Sequence, residues 1–505
     1  MIPARLSSFL QRRRWVRLGV PAACVLLAGL AFHLRMLFDD SFIAYRYAAN
    51  VANGRGFVFN PGERVEGYTC FLWVVLLAGA VRAGLDVVLA CHVLGGLAAL
   101  GTVLLTARLG TLVAGGESAW LASAATLPLA AHPAFALWVA SGMETALFTF
   151  LVTLSVLLYV RSPGSAWSGL ALAAATMTRP EAGLWVAAFG LDQIWLGRRG
   201  RWRWLASWAL VFGPYYLWRL AYFGYPLPNT FYAKVGGGAQ AIAQGLAYLA
   251  VFLGNGGGAL LGGLAAVGIA RDRGRRLLWS ALVGLAAASV VWVGGDVFPL
   301  HRFLVPVLPV LATLAMLGAA RVWEALGPRR RAPALVFMAA LAMVLYARQL
   351  ALARQFSVAS TRLCQVARGV AGYLARHTSR DDPIAAMGVG ALAFYSDRPV
   401  IDMLGLTDIH IAHRSVPMGA GLRGHEKYDA AYVLSRRPAF IVLPSHDALT
   451  AFVRWASGPV TARDFPGLPA LDDMQADPDF RAHYVPAEFG AFRRRDHRPE
   501  LGEGR

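Results

Sequence analysis

The sequence predicts a polytopic α-helical membrane protein of about eleven transmembrane helices, followed by a C-terminal α/β soluble domain. Of its 505 residues, 57% are hydrophobic and only 15% are charged, whereas soluble proteins carry about 25% charged residues. The mean hydropathy is +0.49. The first 350 residues hold 12 acidic groups and the last 155 hold 17. The chain therefore divides into a membrane domain, 1–350, and a polar domain, 351–505, which excludes a soluble cytosolic enzyme.

Eleven apolar stretches are candidates for crossing the bilayer, which takes roughly 20 helical residues. They are 18–38, 87–107, 119–131, 143–160, 166–177, 182–196, 204–222, 241–270, 277–293, 298–320 and 332–346. The shorter ones are either extended by their neighbours or partly re-entrant. A further stretch, 71–84, is interrupted by Arg82, and we expect it to lie on the membrane surface as a juxtamembrane helix.

The distribution of arginine predicts the orientation, because cytoplasmic loops retain Lys and Arg. With the N-terminus inside, the inner loops hold 19 basic and four acidic residues, against ten basic and eight acidic outside. This predicts a multi-pass protein of the inner (cytoplasmic) membrane with a cytoplasmic N-terminus and a periplasmic C-terminal domain. The net charge is +19, of which +17 lies in the first 350 residues. That charge indicates membrane orientation and no nucleic-acid partner.

The first outer loop, 39–70, carries the strongest chemical signal. Asp39 and Asp40 directly follow the first apolar helix, at a depth where an ionised carboxylate is costly unless it is used or paired. One carboxylate can act as a general base while the other orients it. The alternative is a helix end with ordinary interfacial charges, or a cap for the short helix 41–50.

Other polar side chains fall in loops that this orientation places on the outer side. Their common side suggests that one site is assembled from several loops. The candidate substrate-binding residues are Arg46, Glu66, Tyr68, Glu144, Arg179, Glu181, Asn229, Tyr232, Lys234, Asp296, His301 and Arg302. Lys234 is the single lysine of the first 350 residues. With Arg179 and Arg302 it can neutralise a phosphate leaving group, or it snorkels to lipid headgroups.

Two further expectations concern the loop and the cysteines. Glu63 and Arg64 are expected to pair with each other in a solvated turn. The four cysteines have no paired short spacing, so they indicate neither a zinc site nor a disulfide framework.

The C-terminal domain alternates strand and helix over 384–388, 391–396, 399–403, 428–435 and 440–443, which predicts an α/β sandwich. Its polar loops, with Asp408, His410, His425 and Glu426, either face an acceptor or are ordinary surface. We expect the charged tail 492–505 to be frayed.

Six segments together resemble the GT-C membrane glycosyltransferases, and in particular the terminal β-arabinofuranosyltransferase family of mycobacterial cell-envelope synthesis and its bacterial relatives. They are DDSFIAYRYAANVANGRGFVFNPGERVEGYT, SGMET, TRPE, PNTFYAK, GGDVFPLHRFLVP and SDRPVIDMLGLTD, within 39–425. The combination of DD with ERVEGYT is specific, whereas any single segment is weak.

The resemblance implies an inverting transferase that takes a sugar, arabinofuranose by this likeness, from a polyprenyl-phosphate donor on the periplasmic face. Its partners are that donor, an envelope glycan, lipid or protein acceptor, and the bilayer. An aspartate of the first outer loop acts as base in this family, and that role falls on Asp39 or Asp40. No cofactor is required, although a divalent cation at the pair is compatible with the residues.

A rival from another class is a flippase or transporter of lipid-linked sugars. It predicts polar residues near the bilayer midplane and repeat-related broken helices. The acids cluster at one surface and the sequence shows no internal repeat, so the transferase is favoured. A third alternative, a non-catalytic envelope scaffold, would leave the adjacent carboxylates of Asp39 and Asp40 without a role.

Overall fold

The computed structural model describes residues 4–115, 124–197, 202–234, 236, 238–255, 257–416, 424–444 and 468–498. Helices dominate residues 4–377. They are α1 (Ala4–His33), α2 (Asp39–Ala52), α3 (Phe71–Arg82), α4 (Val87–Ala114), α5 (Thr126–Ala131), α6 (Pro133–Val139), α7 (Thr145–Arg161), α8 (Ala166–Thr178), α9 (Gly183–Trp195), α10 (Arg203–Phe223), α11 (Asn229–Lys234), α12 (Ala239–Asn255), α13 (Gly258–Arg271), α14 (Arg276–Val293), α15 (Leu308–Ala325) and α16 (Pro328–His377). Short 3-10 turns at Pro180–Ala182, Arg273–Arg275 and Arg302–Val307 join some of them.

Among the described residues, four helical segments are long and apolar enough to cross a membrane. They are Val87–Ala114, Arg273–Val293, Arg302–Ala325 and Pro328–His377. Shorter apolar helices cover Leu18–His33, Phe71–Arg82 and Thr145–Arg161. The expectation of a polytopic helical membrane protein is confirmed, while the count of eleven crossings stays a prediction.

The apolar stretch 241–270 was considered as one candidate span, but it does not form one continuous helix. It is split into Ala239–Gly254 and Gly258–Arg271, which meet at 88°. Gly257 adopts φ +70° at the break, a left-handed conformation that glycine enters without a Cβ penalty. Counted together, the two halves make a fifth candidate span. The predicted stretch 119–131 lies partly outside the described residues, and its described end contains the six-residue α5.

Glycines allow the close approach of α13 and α15. A Cβ added at Gly268 would lie 2.0 Å from the Leu314 carbonyl oxygen, and one at Gly318 would lie 1.9 Å from that of Leu264. Membrane helices pack through such small residues because lipid supplies no hydrophobic driving force between them. This reciprocal contact fixes α13 and α15 against each other.

The C-terminal domain contains a five-stranded mixed sheet. Its strands are β1 (Ile384–Ala386), β2 (Val400–Asp402), β3 (Phe440–Val442), β4 (Tyr484–Pro486) and β5 (Ala491–Arg494), in the order β2-β1-β3-β5-β4. β1 pairs in parallel with β2 and β3, and β5 pairs antiparallel with β3 and β4. Its helices are α17 (Gly390–Ser396), α18 (Ile409–Ala412), α19 (Ala430–Ser435), α20 (Pro469–Ala476) and α21 (Pro478–His483).

Two details differ from the sequence expectations for this domain. The tail is not frayed at its start: Phe492 pairs with Ile441, because β5 forms an antiparallel ladder with β3. The rest of the tail, 499–505, lies outside the described residues. In addition, α16 runs unbroken from Pro328 to His377, so residue 350 falls within a helix that leads from one domain into the next.

Candidate active site

A cavity of about 490 Å³ opens between the membrane helices, their polar connecting loops and the C-terminal domain. The start of α2, the loop 67–70 and the α6–α7 corner form one side. Apolar residues of α14, including Ala286, Val290 and Val293, form another. Leu406 and His425 of the C-terminal domain complete the wall. The cavity therefore combines an apolar face from a candidate membrane span with polar loops.

The two adjacent aspartates, Asp39 and Asp40, have different neighbours. Asp40 lines the cavity. The carboxylate of Asp39 accepts hydrogen bonds from the backbone N–H of Gly390 (3.1 Å) and Ala391 (2.8 Å) at the start of α17. Burial raises the pKa of Asp39 to about 6, although these two N–H groups act against the shift. Asp39 and Asp40 both lie in the first turn of α2, where a negative charge is favoured by the helix dipole.

Most charged groups of the cavity wall are already neutralised by one another. Arg179 pairs with Glu144 (2.6 Å between Nη1 and Oε1) and with Glu181 (2.7 Å between Nη2 and Oε1). Arg302 lies 2.8 Å from Asp296 between Nε and Oδ2. Buried pairs of this kind add little stability after desolvation, so their value here is to fix the positions of the loops.

Two charged groups of the wall, Asp40 and Lys234, differ from these ion pairs. Within the described part of the chain, Asp40 and Lys234 line the cavity without an ion-pair partner. Lys234 ends α11, and the stem of its side chain packs against Gly424 of the C-terminal domain. Among the described residues, the cavity thus presents one unpaired carboxylate and one unpaired ammonium group to a ligand.

The corner that carries Glu144 is held by α2. Ser41 donates to the Ser141 carbonyl oxygen (2.9 Å), and Tyr45 donates to that of Gly142 (3.3 Å). Gly142 adopts φ +76°, and a Cβ added there would lie 2.2 Å from the Tyr45 hydroxyl oxygen. Ser41 and Tyr45 were not among the residues predicted from the sequence. Their spacing from Asp40, one and five residues, is the signal available in the sequence.

We expect Gly142→Ala to lower the free energy of unfolding by about 3 kcal/mol, because it adds a left-handed backbone penalty to a steric overlap with Tyr45. Thermal unfolding in detergent measures the effect. Gly62→Ala is the matched control, since Gly62 has φ +88° with open space around its Cβ position. Removing the hydroxyl in Tyr45→Phe should reduce the cost of Gly142→Ala. An equal cost in both backgrounds would show that this contact is not the cause.

Of the predicted substrate-binding residues, seven line the cavity: Tyr68, Glu144, Arg179, Glu181, Lys234, Asp296 and Arg302. Tyr68 is buried, and its hydroxyl has no hydrogen-bond partner among the described residues. The wall also includes Thr145, Thr230 and Trp73. These residues were not predicted, because isolated threonine and tryptophan residues in apolar surroundings carry no motif.

The other five predicted residues lie outside the cavity wall. Arg46 donates to the carbonyl oxygens of Phe59 and Arg398. Glu66 forms a buried pair with Arg219, whose Nε lies 3.0 Å from Oε1.

Asn229, Tyr232 and His301 also have other neighbours. Asn229 donates to the Gly405 and Leu406 carbonyl oxygens. Tyr232 stacks on His413, and His301 contacts the Tyr248 ring. These contacts place the three residues in the scaffold around the cavity.

The expected pairing of Glu63 with Arg64 is wrong. Glu63 instead pairs with Arg436 of the C-terminal domain (3.1 Å), and Arg64 lies over the Tyr222 ring at 4.8 Å. These two side chains therefore contact distant parts of the chain rather than each other, and proximity in sequence was a poor guide to their partners.

The residues around Asp40 do not fit a divalent cation. The described residues contain no group of three or more His, Cys, Asp or Glu placed to hold a metal ion. The other carboxylates of the wall, Glu144, Glu181 and Asp296, are held by arginines, which compete for the oxygens that such a cation needs.

Comparison with known proteins gives one family and one curated relative by sequence. Residues 353–500 match a domain of unknown function, DUF8728. Over 257 residues the chain is 32% identical to the terminal β-(1→2)-arabinofuranosyltransferase of Mycobacterium tuberculosis. That match covers 46% of this chain and 40% of the relative, so the chain spans less than half the length of the curated protein it matches.

Solved structures with similar folds cover most of the chain. ArnT from Cupriavidus metallidurans in the apo state aligns with a TM-score of 0.56 at 14% identity, covering 87% of this chain and 94% of ArnT. The same enzyme bound to undecaprenyl phosphate gives 0.51 at 16%, covering 77% and 85%. The oligosaccharyltransferase AglB from Archaeoglobus fulgidus, in complex with an inhibitory peptide and a dolichol-phosphate, gives 0.52 at 12%, covering 88% and 72%.

These matches confirm the resemblance drawn from the sequence segments. ArnT and AglB are GT-C glycosyltransferases, and at identities of 12–16% their likeness establishes a shared fold. A shared fold does not by itself fix the chemistry, which rests on the residues of the cavity.

Proposed function

We propose that this chain, which has the fold of the GT-C glycosyltransferases, is an inverting glycosyltransferase that uses a polyprenyl-phosphate sugar. We further propose arabinofuranose as the sugar and a periplasmic envelope glycan, lipid or protein as the acceptor. The observation that carries the proposal is the placement of Asp40 and Lys234, which have no ion-pair partner among the described residues, on the wall of one cavity. One carboxylate and one ammonium group are what a general base and a phosphate-binding cation require.

In the proposed mechanism, Asp40 takes the proton of an acceptor hydroxyl group. The hydroxyl oxygen attacks the anomeric carbon of the donor from the face opposite the phosphate. The bond between that carbon and the phosphate oxygen breaks, and the electron pair leaves with the polyprenyl phosphate. Lys234 neutralises the charge that develops there, since a preorganised cation stabilises charge that builds up in the transition state. The configuration at the anomeric carbon is inverted in this single displacement.

The choice of a lipid-linked donor is supported by the apolar face of the cavity. Ala286, Val290 and Val293 lie on α14, within the candidate span Arg273–Val293. A prenyl chain running along this helix would place its phosphate at the polar loops. ArnT bound undecaprenyl phosphate and AglB bound dolichol-phosphate in their structures, which supports the same class of carrier here. The proposed orientation keeps the N-terminus cytoplasmic and places the cavity and C-terminal domain in the periplasm.

The test uses the full-length protein in nanodiscs with radiolabelled decaprenyl-phosphate arabinose and an arabinan oligosaccharide. We expect label to pass to the oligosaccharide with inversion and with release of decaprenyl phosphate. Decaprenyl-phosphate donors carrying other sugars form the comparison arm. Transfer from one of those alone would correct the sugar and keep the class. Movement of the intact lipid-linked sugar between leaflets, without transfer from any donor, would favour the flippase and overturn the proposal.

A further inference from the structure

Asp39, the first of the two aspartates, lies at the contact between the membrane domain and the C-terminal domain. Its carboxylate oxygens each accept one backbone N–H of α17, from Gly390 and Ala391. A Cβ added at Gly390 would lie 1.9 Å from the Asp39 carbonyl oxygen. The two helices therefore meet with backbone in contact at this point, which leaves no room for a shift of α2 against α17.

A second residue of α2 binds the other end of α17. Arg46 lies seven residues, or about two helical turns, beyond Asp39, and α17 is itself seven residues long. The Arg46 guanidinium donates to the carbonyl oxygen of Ala393 and, at 2.7 Å, to that of Arg398. An anion at the start and a cation near the end of α17 match the polarity of its helix dipole. Together, Asp39 and Arg46 fasten α2 along its length to the C-terminal domain.

The chain just before Asp39 is held by hydrogen bonds with α16. The backbone N–H of Leu37 donates to Thr361 (3.2 Å), while its carbonyl oxygen accepts from Ser360 (2.7 Å). Ser357 donates to the Arg35 carbonyl oxygen (3.1 Å). The turn that carries both aspartates is therefore held between α16 and α17, so the direction in which Asp40 enters the cavity depends on both contacts.

From these contacts we propose that Asp39 is a positioning residue, whose carboxylate docks the C-terminal domain on α2 and thereby fixes Asp40 in the cavity. Asp39 takes no proton from substrate. The C-terminal domain is then part of the catalytic centre, since it also supplies Leu406 and His425 to the wall. The activity readout of this inference rests on the proposed function. A second readout, which reports on the domain contact, does not depend on that function.

That second readout is Cys364 of α16. It is 1% exposed and belongs to the same apolar cluster as residues of α2 and α17. A thiol-reactive maleimide should reach it only when the domain contact opens. Peptide mass spectrometry separates its labelling from that of Cys24, Cys70 and Cys91.

The experiment compares Asp39→Asn, which keeps one acceptor oxygen, with Asp39→Leu, which keeps none, and with Gly390→Ala, which leaves Asp39 intact. We expect Cys364 labelling to rise about 10-fold or more in Asp39→Leu and Gly390→Ala. We expect kcat to fall in steps, by about 10-fold in Asp39→Asn and about 100-fold in Asp39→Leu, with KM for the donor unchanged. Asp86→Asn is the matched control, because Asp86 caps α4 through the Leu89 N–H and lies outside the cavity wall.

Three outcomes would overturn the inference. Equal, complete loss of transfer in Asp39→Asn and Asp39→Leu with Cys364 still protected would make Asp39 the base. Wild-type labelling and transfer in all three variants would remove any positioning role. If wild-type protein transfers no sugar, the proposed function fails; unchanged Cys364 protection in the variants would then separately reject the docking contact.

Discussion

Asp40→Asn is expected to lower the rate of sugar transfer by about 10³-fold, because general-base catalysis by a positioned side chain contributes roughly 10²–10⁴-fold. The asparagine amide is close in size to the carboxylate and cannot accept the proton of an acceptor hydroxyl. The loss should appear in kcat, with little change in KM for the donor, since the proton moves only during the chemical step. Steady-state transfer kinetics in nanodiscs measure both constants.

The control for this prediction is Glu63→Gln, which removes a carboxylate of the same outer loop. Glu63 pairs with Arg436 on the surface, with 41% of its side chain exposed, and it does not line the cavity. Transfer by this variant should stay within about twofold of wild type. Protection of Cys364 in Asp40→Asn should also match wild type. A variant at Asp40 that folds, keeps this protection and still transfers at the wild-type rate would show that the base is another group.

The sequence singled out the two aspartates as the candidate base but could not separate them. Both follow an apolar helix, and both have the same local signal. What distinguishes them is α17, whose N–H groups come from Gly390 and Ala391, some 350 positions away along the chain. A side chain's partner across such a separation depends on how two domains dock, and a single sequence holds no periodicity that reports it.

Other expectations from the sequence also agreed with the structure or differed from it according to tertiary contacts. Arg179, Glu144 and Lys234 reach one cavity as their outer-loop positions suggested. Glu66 was expected at the substrate and instead pairs with Arg219, since an acid in a loop looks the same whether it faces a ligand or a buried guanidinium. The 241–270 stretch is mostly apolar, so its hydropathy does not report the break at Gly257, although the run GNGGG at 254–258 is a signal for it in the sequence. Composition thus identified the kind of protein, whereas tertiary contacts decided individual roles.

The second large effect is expected at Lys234. Lys234→Gln should lower kcat/KM for the lipid-linked donor by about 10²-fold or more, because removal of one preorganised group that stabilises transition-state charge costs roughly 10²–10³-fold. Binding of decaprenyl phosphate, the proposed leaving group, should weaken in parallel and can be measured without turnover. Arg179 and Arg302 cannot fully compensate, since each already neutralises a carboxylate of the wall.

Lys234→Arg tests whether charge alone is enough. The guanidinium keeps the positive charge but spreads it over a planar group with fixed donor directions, so we expect partial recovery of transfer relative to Lys234→Gln. The control is Arg55→Gln, which removes a cation that pairs with Asp397 at 3.5 Å and lies outside the cavity wall. If Lys234→Gln bound decaprenyl phosphate and transferred sugar like wild type, Lys234 would serve only to reach lipid headgroups. The phosphate would then have to be stabilised by Arg179 or Arg302 after displacement of their carboxylate partners.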